Sequence, residues 1–161
     1  MQVTFLGTGS RFQTGILVEE ADRSLLVDCG AGTIHRLART DPGYEDAPAV
    51  LLTHHHIDHV SDIIPLLKAR WLAGASPLTV AGPPGTADLL EGLLGVHDYL
   101  AEKVAYEVRE VEAGTFSIAG FDVAAMETRH SMPCLAYRIG GADGPFAFSG
   151  DSEAFPELVA F

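Results

Sequence analysis

Residues 54–59 read His54-His55-His56-Ile57-Asp58-His59. Imidazole nitrogen and carboxylate oxygen are both good zinc ligands. In an extended backbone alternate side chains share a face, so His54 and His56 point the same way and His55 points away. A turn at Ile57-Asp58 then returns Asp58 and His59 toward a second ion, and one short loop supplies parts of two adjacent metal sites. A polar loop or an expression tag is the plainer alternative. The cluster is internal, however, and follows the apolar run Ala49-Val50-Leu51-Leu52, which favours metal binding. His130 and Asp151 are further candidates, although alone the first reads as a strand-end histidine and the second as a turn aspartate. Asp28 ends a strand-like stretch beside glycines, where it either turns the backbone or orients a ligand histidine from behind.

The elements that must hold these residues follow from the pattern. Residues 3–6, 15–20 and 24–28 read as three strands, with a glycine-rich turn at Gly7-Thr8-Gly9-Ser10. Thr33 is the expected cap of a short helix to about Arg39. Residues 49–52 form a short buried strand that ends in the histidine run. Residues 63–73 carry apolar side chains at helical spacing, with Pro65 in the first turn. A strand over 78–81 precedes a helix over 86–94, expected to be capped by Thr86. Residues 104–111, 115–118 and 121–127 alternate as antiparallel strands, and 135–139 and 146–149 follow. Residues 155–161 begin a helix. The expectation is one α/β (α+β) domain over 1–161, with mixed sheets and helices on the outer faces.

HxHxDH after a short buried strand resembles the metallo-β-lactamase superfamily. Phe5-Leu6-Gly7-Thr8-Gly9-Ser10 and Leu26-Val27-Asp28-Cys29-Gly30-Ala31-Gly32-Thr33 are similar to motifs of its ribonuclease Z and related phosphodiesterase branch. So are Arg129-His130-Ser131 with Leu135-Ala136-Tyr137-Arg138-Ile139, and Phe148-Ser149-Gly150-Asp151-Ser152. They occur in the expected order over nearly the whole chain. The resemblance implies an αββα sandwich. It implies that His54, His56 and His130 hold one metal, that Asp58 and His59 hold another, and that Asp151 bridges them. The implied chemistry is phosphodiester hydrolysis by a hydroxide on a dinuclear zinc centre, with Asp58 as the catalytic residue. Manganese or iron fits the same donors.

Two departures from the branch stand out. Its last metal-binding histidine follows the aspartate motif, and no histidine follows Asp151 here. The C-terminal sheet-and-helix half is also missing, so the chain reads as a truncated N-terminal portion, expected to be impaired or inactive by itself. In addition, only residues 131–150 separate His130 from Asp151. That leaves no room for a long tRNA-gripping arm there and favours a smaller phosphodiester substrate over tRNA 3′-end processing; the expected partner is a small phosphodiester or nucleic-acid substrate. The rival readings are a lactone, thioester or β-lactam hydrolase on the same metal core, and an inactive metal-binding fragment or interaction module.

Composition sets the outer bounds. The chain has 161 residues and a net charge of −12. A broad basic nucleic-acid surface is excluded, and a metal must supply local positive charge. Lys68 and Lys103 are the only lysines, a pattern that suggests adaptation to high salt. Cys29 and Cys134 make no disulfide framework and point to a reduced, cytoplasmic setting. No apolar run reaches the ~18 residues of a membrane span, and the strand-like opening over residues 1–6, with no basic n-region or cleavage site, is not expected to be a secretory signal. An unpaired sheet edge would favour a homo-oligomer. His35, His97 and the Trp71 stripe are expected to stand outside the site.

Overall fold

The computed structural model describes residues 1–9 and 13–161, so Ser10 of the opening motif lies outside the described residues. Two sheets face each other. The first has six strands in sequence order: β1 (Gln2–Gly7), β2 (Gly15–Glu20), β3 (Arg23–Val27), β4 (Ala49–Leu51), β5 (Leu78–Gly82) and β6 (Tyr106–Glu110). β1, β2 and β3 pair antiparallel, and β3 to β6 pair parallel. The second sheet holds β7 (Gly114–Ile118), β8 (Phe121–Glu127), β9 (Leu135–Ile139) and β10 (Phe146–Phe148), all antiparallel in the order β10-β9-β8-β7.

The central strands of the first sheet carry consecutive apolar residues, Leu25-Leu26-Val27 in β3 and Ala49-Val50-Leu51 in β4, because both faces are buried there. Leu17, Leu26, Val50 and Val80 face one core cluster, which includes Leu37 of α1 (Thr33–Leu37), Leu66 of α3 (Ile63–Ala73) and Leu90 of α4 (Thr86–Val96). Their neighbours Ile16, Val18, Leu25, Val27, Leu51 and Ala81 face the other cluster, against Phe121, Val123, Tyr137 and Ile139 of the second sheet. A one-residue slip in any strand would exchange the two faces. Three short helices complete the set: α2 (Ile57–Val60), α5 (Asp98–Ala101) and α6 (Pro156–Ala160). Among the described residues no helix is long and apolar enough to cross a membrane.

Several local expectations need correction. β6 is parallel to β5 in the first sheet and not part of an antiparallel run with β7 and β8; alternation reports faces, not partners. The expected turn at Ile57-Asp58 is the one-turn helix α2. Neither threonine cap forms. Gly32 and Gly85 occupy the cap positions with φ of 89° and 94°, and Thr33 and Thr86 are the first helical residues. In this left-handed conformation glycine carries no Cβ penalty. The α5 turn was not expected.

Candidate metal centre

Thr53 and His54 follow directly from β4, and the sheet ladder still holds them at its end. The Leu52 amide donates to the Ala81 carbonyl at 2.7 Å, and the Asp28 amide donates to the Leu51 carbonyl at 3.1 Å. The backbone stays extended as far as His56, with φ −62° and ψ 147°. His54 and His56 therefore converge, with His54 Nε2 and His56 Nδ1 3.2 Å apart. His55 turns away, and its Nε2 lies 2.9 Å from Thr86 Oγ1. The hydroxyl itself donates to the Pro83 carbonyl, so it accepts from His55.

Helix α2 then reverses the chain. Its position is fixed by backbone bonds from outside the loop: Thr14 N to Asp58 O at 3.1 Å and Cys29 N to His59 O at 2.7 Å. Gln13 Oε1 accepts from the Ser61 hydroxyl and the Ala31 amide. A Cβ on Gly30 would lie 2.0 Å from the Asp58 carbonyl oxygen, so only glycine permits this approach. Asp58 and His59 are thereby brought back to the histidine pair. His59 Nε2 lies 3.8 Å from Asp58 Oδ2, and the His54 and His59 ring centroids are 4.1 Å apart.

The second sheet supplies the remaining donors from loops that follow its strands. His130, three residues past β8, puts Nε2 2.9 Å from His56 Nδ1. Asp151 follows β10 and reaches both groups. Its Oδ2 is 3.9 Å from His54 Nε2, and its Oδ1 is 3.5 Å from His59 Nε2. The two loops are tied together by the Thr128 hydroxyl, which donates to the Asp151 carbonyl at 3.0 Å. They are tied to the first sheet by Tyr137 Oη donating to Leu52 O at 2.8 Å and by Leu135 N donating to Thr53 O at 3.0 Å. Gly150, at φ 57°, sits so close to Thr53 that a Cβ would lie 2.9 Å from the threonine Cβ.

Asp28 lies fully buried behind this cluster, at φ 57°. Both roles open to it in sequence are filled, because it turns the backbone and also orients ring nitrogens. Its Oδ2 accepts from His59 Nδ1 at 2.7 Å, and its Oδ1 accepts from the Thr53 amide at 2.7 Å. The Thr53 hydroxyl lies 2.9 Å from Oδ2 and 3.0 Å from His54 Nδ1. A hydroxyl has one proton, and a carboxylate can only accept. Thr53 therefore donates to Asp28 and accepts from His54. Both His54 and His59 then carry their proton on Nδ1 and turn a bare Nε2 toward the cluster.

Electrostatics separate the two. Burial first, and then the neighbouring His59, His130 and His56, push the His54 pKa down to about 3. Burial also pulls His59 down, but the Asp28 hydrogen bond and the charges of Asp28, Asp151 and Asp58 outweigh it and carry His59 above its ordinary value. Burial raises the Asp28 carboxyl, against the pull of its hydrogen bonds from His59 and Thr53.

His54, His56, His130 and Asp151 offer one donor atom each, all within 4.8 Å of one another. At zinc–nitrogen distances of about 2.0–2.1 Å, the edge of a tetrahedron is about 3.3 Å. The nitrogen separations of 3.2 and 2.9 Å match that spacing, and three nitrogens with one carboxylate oxygen are a donor set for zinc. His59, Asp58 and the second Asp151 oxygen form a smaller adjoining set. All six residues singled out in sequence as ligands thus lie together, with Asp28 behind them. His35 and His97 are exposed and stand apart from the cluster. Leu67 joins the core, whereas Trp71 and Leu72 remain on the surface. Cys29 and Cys134 are free and buried. Sequence reasoning missed Thr53 and Gln13, whose partners lie 25 and 48 residues away. It also missed Thr86 as the partner of His55.

A family profile described as a beta-lactamase superfamily domain matches residues 23–160. The chain is 33% identical over 178 residues to a ribonuclease Z of Mycolicibacterium gilvum (strain PYR-GCK), covering 94% of this chain and 62% of that protein. It is 38% identical over 142 residues to a ribonuclease Z of Methanopyrus kandleri, covering 84% of this chain and 48% of that one. Among solved structures, the metallo-beta-lactamase fold protein YhfI from Bacillus subtilis superposes with TM-score 0.76 at 27% identity, over 93% of this chain and 62% of its own. The short form of human tRNase Z gives TM-score 0.78 at 23% identity, over 94% and 69%, which speaks for the fold.

Proposed function

Because the chain belongs to the metallo-β-lactamase superfamily, we propose that it carries a dinuclear metal centre and serves a hydrolase of phosphodiester bonds. The observation that carries this reading is Asp151, whose two oxygens reach His54 on one side and His59 on the other. His54, His56 and His130 hold one ion, Asp58 and His59 hold the second, and Asp151 is shared. Zinc is the first choice for these donors, and manganese or iron uses the same set. When bound, the ions lower the pKa of water toward neutrality and neutralise charge developing on phosphoryl oxygens.

The protein's own residues have separable tasks. Asp28 and Thr53 hold two imidazoles in the tautomer that leaves Nε2 bare. Asp58 is half-exposed and lies 3.8 Å from His59 Nε2, so it can act as a ligand and still exchange a proton with solvent or substrate. Residues 131–150 hold only two short strands and their connections. That supports a small phosphodiester, or the end of a nucleic acid, over a substrate gripped by a long arm.

Residues 1–161 are read as one metallo-β-lactamase-like domain portion. The chain spans 62% of the M. gilvum relative and 48% of the M. kandleri relative, so the activity proposed is that of the whole protein. Unpaired, buried Cys29 and Cys134 support a cytoplasmic setting. Among the described residues β10 pairs on one edge only, which supports self-association, to be checked by light scattering. The test of function is hydrolysis by zinc-loaded protein of bis-p-nitrophenyl phosphate against a lactone and nitrocefin. Preference for the phosphodiester is expected. Turnover of the lactone or nitrocefin alone would overturn the reading.

A further inference from the structure

A cleft of ≈ 810 Å³ opens over His130 and Asp151, and among the described residues Arg129 is the only arginine or lysine that lines it. Its backbone is rooted in the same two segments that carry those residues. The Arg129 amide donates to Ser152 Oγ at 3.3 Å, and its carbonyl accepts from the Glu153 amide at 2.9 Å. The guanidinium carbon lies 4.6 Å above the Phe155 ring. Its Nη2 is 3.9 Å from Glu157 Oε2, too far for a hydrogen bond, and the side chain is 59% exposed.

Several other arginines are committed to the fold. Arg70 donates to four backbone carbonyls, while Arg109 and Arg138 each donate to one. The Arg129 guanidinium forms no hydrogen bond among the described residues, although stacking on Phe155 holds it beside the cleft. A planar fork of N–H donors in that state suits a phosphate. We infer that Arg129 forms a subsite for a second anionic group of the substrate, a phosphate flanking the one at the metal centre. This rests on the phosphodiester reading above and narrows it to substrates with more than one phosphate, such as an oligonucleotide end. Glu153 and Glu157 keep the rim acidic, so the contact is confined to one guanidinium and is not a broad basic surface.

The experiment is fluorescence anisotropy of a fluorescein-labelled phosphorothioate oligothymidylate tetramer with zinc-loaded protein, titrated at several salt concentrations. Arg129→Ala should weaken binding about tenfold. It should also make the salt dependence shallower by about 0.7, the loss of one phosphate contact on a single strand. Arg129→Lys should keep the salt slope, and Arg109→Ala should match the unsubstituted protein. An unchanged Kd in Arg129→Ala, equal weakening in Arg109→Ala, or no binding of the tetramer at all would overturn the subsite. Bis-p-nitrophenyl phosphate hydrolysis by unsubstituted protein tests the underlying reading separately. If that substrate is cleaved and Arg129→Ala binds the tetramer unchanged, only the subsite fails.

Discussion

The two halves of the centre are held by different parts of the molecule. His54 and His56 come from the loop at the end of a buried strand of the first sheet, whereas His130 comes from the loop after β8, an inner strand of the second. Their ring nitrogens meet at 3.2 and 2.9 Å only because the sheets are stapled through Tyr137, Leu135 and Thr53. Asp58 and His59 instead share one four-residue helix, positioned by backbone contacts with residues 14 and 29. The three-histidine half has four donors within 4.8 Å. The other has a single nitrogen, Asp58 and a share of Asp151. In the proposed dinuclear centre, donor count alone would make the first site the stronger and the second the weaker.

Substitutions can break that comparison. His56→Ala should have the largest effect, because its Nδ1 lies next to both other nitrogens of the three-histidine half. Zinc there should be lost, read by elemental analysis, while circular dichroism stays that of the folded chain. Asp28→Asn comes next. It leaves one acceptor oxygen and sets an amide N–H2 donor against either His59 Nδ1 or the Thr53 amide, and should lower zinc affinity about 10–100-fold, read by competition with a chromogenic chelator. Thr53→Val sharpens the contrast. It removes the acceptor for His54 Nδ1 and one donor to Asp28 but leaves the Asp28–His59 hydrogen bond in place, so about a tenfold loss falling mainly on the first site is expected. Equal losses in both halves would mean that Thr53 supports the fold and not His54.

The pH dependence is the smallest and most selective effect. The pKa of His59 is raised, so it keeps its proton to higher pH and releases it less readily to a metal. His54 is pushed down to about 3 and offers a bare nitrogen throughout the ordinary range. Zinc bound by the Asp58–His59 half should therefore be lost first as pH falls from 7 toward 5, measured as equivalents retained after dialysis. Loss from the three-histidine half first would contradict the assignment of these two histidines.

How much of this was legible before the fold was known differs residue by residue. The convergence of His54 and His56 follows from a period of two, and that period survives because β4 runs extended into the loop. The apolar run of β4 announced a buried strand. β6 was misread because its alternation is equally compatible with a parallel neighbour, and only the third dimension chooses one. The relay from His54 through Thr53 to Asp28 depends on a left-handed backbone at residue 28 and on the parallel pairing of β3 with β4. Neither leaves a local signal in the types of those residues. The glycine caps escaped for a similar reason: threonine is the commoner cap, and here it is displaced one position into each helix.

The central claim is that one centre of two unequal sites is built from His54, His56, Asp58, His59, His130 and Asp151. Zinc per chain, measured by elemental analysis after dialysis in the unsubstituted protein and in His56→Ala, tests it most directly. The account predicts two equivalents at neutral pH and the loss of at least one in the variant. Two equivalents retained in His56→Ala, or none in the unsubstituted protein, would contradict it.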